Sequence, residues 1–138
     1  MKKIIIYFSL LGHNREIAEK MAEQEDCEVK EFSPGNKLRV FQIIGGKKRL
    51  RKRAQRMDEE VLIFDEIIIC GPIWAYKPAL AIRSLLKYLT LEGKTVSCYM
   101  TYTQDYKKSE EIIKNMIEGQ SGIVKEIAFK NIEKMGNQ

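Results

Sequence analysis

The stretch Ile67–Arg83, IIICGPIWAYKPALAIR, decides how the chain is read. Ile67, Ile68, Ile69 and Cys70 form an uninterrupted apolar run, and Gly71-Pro72 breaks it. Trp74, the only tryptophan, stands just beyond, and Pro78 opens a helical pattern. A strand apolar on both faces belongs inside a parallel sheet covered by helices on each side. In such sheets ligands sit outside the carboxyl ends of the strands, which is where this reading puts Trp74.

Outward from that stretch the chain alternates strand and helix. Lys2–Ser9 (KKIIIYFS) reads as a buried strand, and Ser9–Asn14 as a loop. Asn14 is the expected N-cap of a helix over Arg15–Gln24, whose inner stripe is Ile17, Ala18, Met21 and Ala22. Cys27–Phe32 (CEVKEF) alternates apolar with polar residues, as an edge strand with one exposed face does. From Lys37 to Met57 an apolar patch (Leu38, Val40, Phe41, Ile43, Ile44) is followed by Gly45-Gly46 and a basic run. A helix is expected at one end of that segment, with a break at the glycines. Val61–Cys70 is the predicted central strand, with Asp65-Glu66 at its polar start, and Ala79–Leu89 the helix after it. Lys94–Met100 is a fourth strand, Thr101–Asp105 a loop, Lys107–Glu118 a helix and Ile123–Phe129 a fifth strand. This alternation predicts an α/β, doubly wound, five-stranded parallel sheet in a single domain over residues 1–138.

Composition narrows the function classes. The 138 residues are 44% hydrophobic and 31% charged, and no apolar run approaches the roughly 18 residues of a membrane span. The opening MKKIIIYFSLLG imitates a signal peptide but lacks a small-residue cleavage site, so it reads as a first strand and the chain as cytoplasmic. Cys27, Cys70 and Cys98 are odd in number without C-x-x-C spacing, the pattern of buried reduced thiols. The net charge of +5 is uneven. Lys47, Lys48, Arg49, Arg51, Lys52, Arg53 and Arg56 supply seven positives without an intervening acid, so five minus seven leaves −2 for all other residues. A solvated helix face or loop is the plain reading of such a run, and a grip on nucleic acid or an acidic partner is the other. No aromatic residue interleaves with it, which counts against nucleic acid.

Three loops at carboxyl ends of strands are the candidate site. Ser9–Asn14 opens a helix, so its backbone N–H groups, the Ser9 hydroxyl and the Asn14 amide suit a phosphate. Trp74 and Tyr76 in the second loop and Tyr102 in the third add aromatic faces of the kind that mark a binding surface. A planar, phosphorylated ligand satisfies all three. No Ser-His-Asp set and no metal-ligand cluster can be assembled from the chain, and His13, the only histidine, stands at a helix start.

With these residues in place, the chain resembles the flavodoxin-like family. Lys3–Ala18 (KIIIYFSLLGHNREIA) is similar to that family's first strand and phosphate loop, Asp65–Leu86 to its third strand and flavin loop, and Gly93–Thr103 to its fourth strand and second flavin loop. The resemblance implies strand order 2-1-3-4-5 with FMN at the switch point between the first and third strands. It implies that Ser9, Leu10, Leu11, Gly12, His13 and Asn14 hold the FMN phosphate. Pro72, Ile73, Trp74, Ala75 and Tyr76 would then pack one side of the isoalloxazine, and Thr101, Tyr102, Thr103 and Gln104 the other. Leu11 and Asn14 stand where relatives usually carry threonines, which shifts phosphate binding towards backbone N–H groups and implies weaker FMN affinity.

The functional expectation is an FMN-binding electron-transport protein that carries electrons or hydride equivalents between redox partners, protein or small molecule. Two alternatives accompany it: a quinone or NAD(P)H oxidoreductase of the same fold, and a scaffold that has lost FMN and binds a partner through residues 47–56. The resemblance also implies a final helix after the fifth strand, and only Lys130–Gln138 remain to form it. A missing or truncated helix would leave one sheet face half covered, with Lys125 and Glu126 on opposite faces of the fifth strand, and a homodimer is the expected remedy.

Overall fold

The computed structural model describes residues 2–9, 12–32 and 47–133. Its elements are β1 (Lys3–Tyr7), α1 (His13–Glu25), β2 (Glu28–Glu31), α2 (Lys47–Val61), β3 (Glu66–Trp74), β4 (Lys77–Pro78), α3 (Leu80–Tyr88), β5 (Thr95–Tyr102), α4 (Lys107–Gly119) and β6 (Ile123–Asn131). The strand order is β2-β1-β3-β5-β6, all parallel, with β4 folded back antiparallel on β3. Apart from β4 this is the expected 2-1-3-4-5 sheet.

The apolar runs are buried on both faces, as a doubly covered sheet requires. Ile4, Ile6, Ile67, Ile69, Val96, Cys98 and Met100 point into the core under α2, α3 and α4. Their neighbours Ile5, Tyr7, Ile68 and Cys70 point to the other face, against Ala18 and Ala22 of α1. The strand period of two thus divides one hydrophobic segment between two cores. Gly71 lets α3 sit down on β3, because a Cβ there would collide with Cδ1 and Cγ1 of the buried Ile82.

Several expectations need correction. Val61 is the last residue of α2, and the central strand starts five residues later at Glu66. The apolar segment from Val61 to Phe64 is instead a helix end and a turn that buries Val61 and Phe64. Pro72–Lys77 is no open loop. β3 continues through Trp74, and Ala75 and Tyr76, both at positive φ (50° and 69°), turn it tightly into β4. Thr101 and Tyr102 are likewise strand residues, hydrogen-bonded along β6 as far as Asn131. Asn14 is not the N-cap of α1: Gly12 takes that position at φ 94°, and Asn14 lies within the first turn.

The β5–β6 ladder slips by one residue between Val96 and Ser97, so Lys125 is the extra residue of a bulge. Lys125 and Glu126 therefore share the α1 face and do not alternate. Lys125 Nζ pairs with the buried Glu66 at 3.2 Å, and Glu126 accepts the Tyr99 hydroxyl at 2.6 Å. The basic run forms the first turns of α2, with Leu50, Ala54 and Met57 buried and most of the cations exposed. The apolar patch at 38–44, the glycine pair and residues 134–138, and with them the expected break and the truncated final helix, lie outside the described residues. No helix among the described residues is long and apolar enough to cross a membrane.

Candidate functional site

The carboxyl ends of β1, β3 and β5 meet at one edge of the sheet. Ser9, almost fully buried, accepts the Gly12 N–H on its Oγ at 2.9 Å and so shapes the turn into α1. Gly12 supplies the left-handed backbone of that turn, with open space where a side chain would begin. The Gly12 carbonyl accepts the Glu16 N–H, the first helical bond. Among the described residues no side chain caps the first-turn N–H groups of this 13-residue helix. They lie at its positive dipole end, an arrangement that favours an anion.

Asn14 turns inward. Its Nδ2 donates to Thr101 Oγ1 at 2.9 Å, and its Oδ1 is buried without a partner among the described residues. Thr101 is itself paired in register with Pro72. One hydrogen bond and one strand pair therefore join the start of α1, the end of β5 and the start of the β3–β4 hairpin. Of the residues picked out in the sequence, Ser9, Gly12, Asn14, Pro72 and Thr101 come together here. His13 begins α1, partly exposed, and Leu10 and Leu11 lie outside the described residues.

The aromatic residues are held more firmly than loop residues would be. Trp74 is half-buried and meets Phe8 edge-on, with centroids 5.6 Å apart and planes at 79°. Tyr102 tilts onto Tyr106 at 4.7 Å, and Tyr106 stacks on Phe129 at 4.2 Å. That ladder packs against the core beneath α2, α3 and α4, the sheet face opposite Asn14 and Thr101, because successive strand side chains alternate. Tyr102 is thus half-buried where the sequence suggested an open aromatic face. Tyr76, at the hairpin tip, remains 48% exposed, the neighbouring Ala75 and Lys77 are exposed too, and Ile73 is buried. Thr103 and Gln104 are exposed between β5 and α4.

Ser109 is the residue the sequence reading missed. It is fully buried in the first turn of α4, and its Oγ donates to the Tyr76 carbonyl at 3.0 Å, anchoring the hairpin tip. A serine one turn into a helix has no sequence signature for such a role; only the fold brings the tip within its reach. Cys70, at the same edge, is pushed up to about 12 by burial, so it stays a neutral thiol.

The strand order, the helix start at the first carboxyl end and the hairpin after β3 recur in solved structures. A flavodoxin from Megasphaera elsdenii, solved in its two-electron reduced state, superposes with a TM-score of 0.68 at 17% identity, over 92% of this chain and 84% of its own. The chain has the flavodoxin-like fold. A flavoprotein from Lactobacillus acidophilus, in complex with FMN, gives 0.64 at 20% identity over 99% of this flavodoxin-like chain and 97% of its own. A candidate flavoprotein from Bacteroides eggerthii gives 0.70 at 20% identity, covering 99% and 94%. At such identities the likeness is one of fold. No protein-family profile matches the chain, and no curated protein sequence matches it.

The donor set of this flavodoxin-like edge fits a phosphorylated ligand. The uncapped N–H groups at the start of α1 suit the phosphate, the Ser9 hydroxyl retains a proton to donate, and the buried Asn14 Oδ1 needs a donor it does not have.

Proposed function

We propose that the chain binds FMN at this edge and carries electrons or hydride equivalents between redox partners. The observation that supports it best is the uncapped start of α1 beside Asn14, whose buried Oδ1 has no partner, at the switch point between β1 and β3. When bound, FMN supplies the redox chemistry. The chain's own residues hold and orient it. Backbone N–H groups of residues 13–15 and the Ser9 hydroxyl take the phosphate, and Asn14 Oδ1 accepts from a ribityl hydroxyl. The proposal assigns Pro72–Tyr76 and Thr101–Gln104 to the ring, with Trp74 against it. The FMN-bound L. acidophilus protein of the same fold supports this assignment of the cofactor. Three unpaired thiols, two of them buried, suit a reducing compartment, and we place the protein in the cytoplasm.

Titration of FMN into the apoprotein, followed by flavin fluorescence, tests the reading. Saturable quenching is expected, with riboflavin, which lacks the phosphate, binding at least about tenfold more weakly. Trp74→Ala should weaken FMN binding by about ten- to a hundredfold, the loss of one ring stack. Absence of quenching with wild-type protein would refute the proposal.

A further inference from the structure

The first residue of α2 reaches the start of α3, on the side of the proposed flavin site. α2 ends at Val61 and leads through one turn into the amino end of β3. With 15 residues it is about 22 Å long, so it runs back along the sheet towards the carboxyl ends of the strands. Lys47, its first residue, shares a groove of about 220 Å³ with Leu80, which follows the β3–β4 hairpin directly, and with Arg83, Lys87 and Tyr88 of α3. Arg51 lies 5.6 Å from the Tyr88 ring centre and Lys87 5.4 Å. The fold therefore adds two cations and an aromatic ring to the basic run.

The helix macrodipole does not favour this arrangement. Cations at a helix start and acids at its end oppose the macrodipole, yet α2 has no acid in its first turn and no base in its last. Its cations begin at Lys47, and Asp58, Glu59 and Glu60 close it. Lys47, Lys48, Arg49, Lys52 and Arg56 are exposed and enter no ion pair among the described residues. Like charges crowded on one exposed surface repel one another, a cost that an oppositely charged partner removes.

We infer that the first turns of α2, with Arg83 and Lys87 of α3, form the docking surface for a redox protein whose own docking face is rich in Asp and Glu. This rests on the reading of the chain as a flavin-bearing electron carrier, because the surface reaches towards the proposed flavin edge where Lys47 meets Leu80. A protein partner suits the helix better than nucleic acid. The acids Asp58–Glu60 end the same helix, and a uniformly negative duplex lying along it would meet them, whereas a protein face can match both signs. Tyr88 is half-buried beneath its two cations, so it offers no free ring for base stacking.

The test compares wild-type protein with the triple variant Arg49→Glu/Lys52→Glu/Arg56→Glu and with its all-Gln counterpart, each loaded with FMN. The three residues are exposed and spaced along one side of α2, and far-UV circular dichroism checks that each variant keeps its helices. A reduced plant-type [2Fe–2S] ferredoxin serves as the acidic donor, and stopped-flow spectroscopy follows flavin reduction. The wild-type rate constant should fall as salt is raised from about 0.01 to 0.15 M, where the screening length shrinks from about 30 to 8 Å. The Glu variant should be slower by about tenfold or more at low salt and lose the salt dependence, with the Gln variant between. Photoreduction through neutral 5-deazariboflavin, which the surface charge does not steer, should be equal in all three. Equal ferredoxin rates in wild type and variants would overturn the inference. So would retention of a 20-base-pair duplex by wild type but not the variant at about 0.15 M salt, which assigns the surface to nucleic acid. If FMN binds none of the proteins, the flavin reading is what fails, and calorimetric titration of oxidised ferredoxin into the apoproteins still decides the docking surface: binding to wild type that the Glu variant loses upholds it, and equal or absent binding overturns it.

Discussion

Gly71→Ala tests whether the site is carried by a close contact between β3 and α3. An alanine Cβ at position 71 would meet Cδ1 and Cγ1 of Ile82, which is fully buried and has little room to give. Overpacking of this kind costs about 1–3 kcal/mol, and lower entropy of the unfolded chain offsets about 0.4–1 kcal/mol of it. The net expectation is a loss of about 1–2 kcal/mol, which for a chain of this length lowers Tm by about 3–8 °C. Urea unfolding followed by far-UV circular dichroism measures it, with Ile82→Ala as the second corner of a double-mutant cycle. Ile82→Ala alone should cost about 2–5 kcal/mol. The double variant should lose clearly less than the sum, because truncating Ile82 makes room for the new methyl group. An unchanged midpoint for Gly71→Ala, or strict additivity in the cycle, would refute the reasoning.

Thr101→Val removes the acceptor of the Asn14 amide and leaves that buried side chain without a partner at either end; a loss of about 1–3 kcal/mol is expected in urea unfolding, with Thr101→Ser close to wild type. Equal stabilities of the two variants would count against the link. Burial raises the Cys70 thiol to about 12 and the Cys98 thiol further, Cys70 adding to the second shift. Folded-state values above the unfolded value of 9.0 mean that this stabilisation is complete below about pH 9 and is lost as pH rises towards 12, so the urea midpoint should fall over that window and fall less in Cys70→Ala. We also propose that the chain forms a homodimer through the α1 face of β5 and β6, where Ile17, Tyr99, Thr101, Ala128 and Lys130 line a groove of about 290 Å³. Sedimentation equilibrium should give twice the 16.1 kDa chain mass, Ala128→Glu should return it to one, and a wild-type monomer would end the proposal.

What the sequence determined by itself is the class of fold and the edge at which the candidate site lies. Ile4–Ile6 and Ile67–Cys70 are apolar at every position, and only a strand covered on both faces buries all of them, so the parallel sheet and its helical layers follow from composition along the chain. The alternation in Cys27–Phe32 likewise marks an edge strand, and β2 is one among the described strands. The tertiary structure decided where those elements end and which side chains meet. The apolar run from Val61 to Phe64 carries the same local pattern as a strand, and its packing as a helix end depends on the sheet beneath it. The β3–β4 hairpin could not be read from Trp74-Ala75-Tyr76-Lys77, because neither turn residue is a glycine; β4 pairing and the Ser109 bond to the Tyr76 carbonyl hold them at positive φ. Asn14 looked like a cap because asparagines cap helices, but a threonine 87 residues away turned it inward. Lys125 and Glu126 share a face only because the ladder slips at Ser97, a register that depends on the neighbouring strand. Apolar periodicity is a property of a few consecutive residues, and these contacts join residues distant in sequence that only the folded chain brings together.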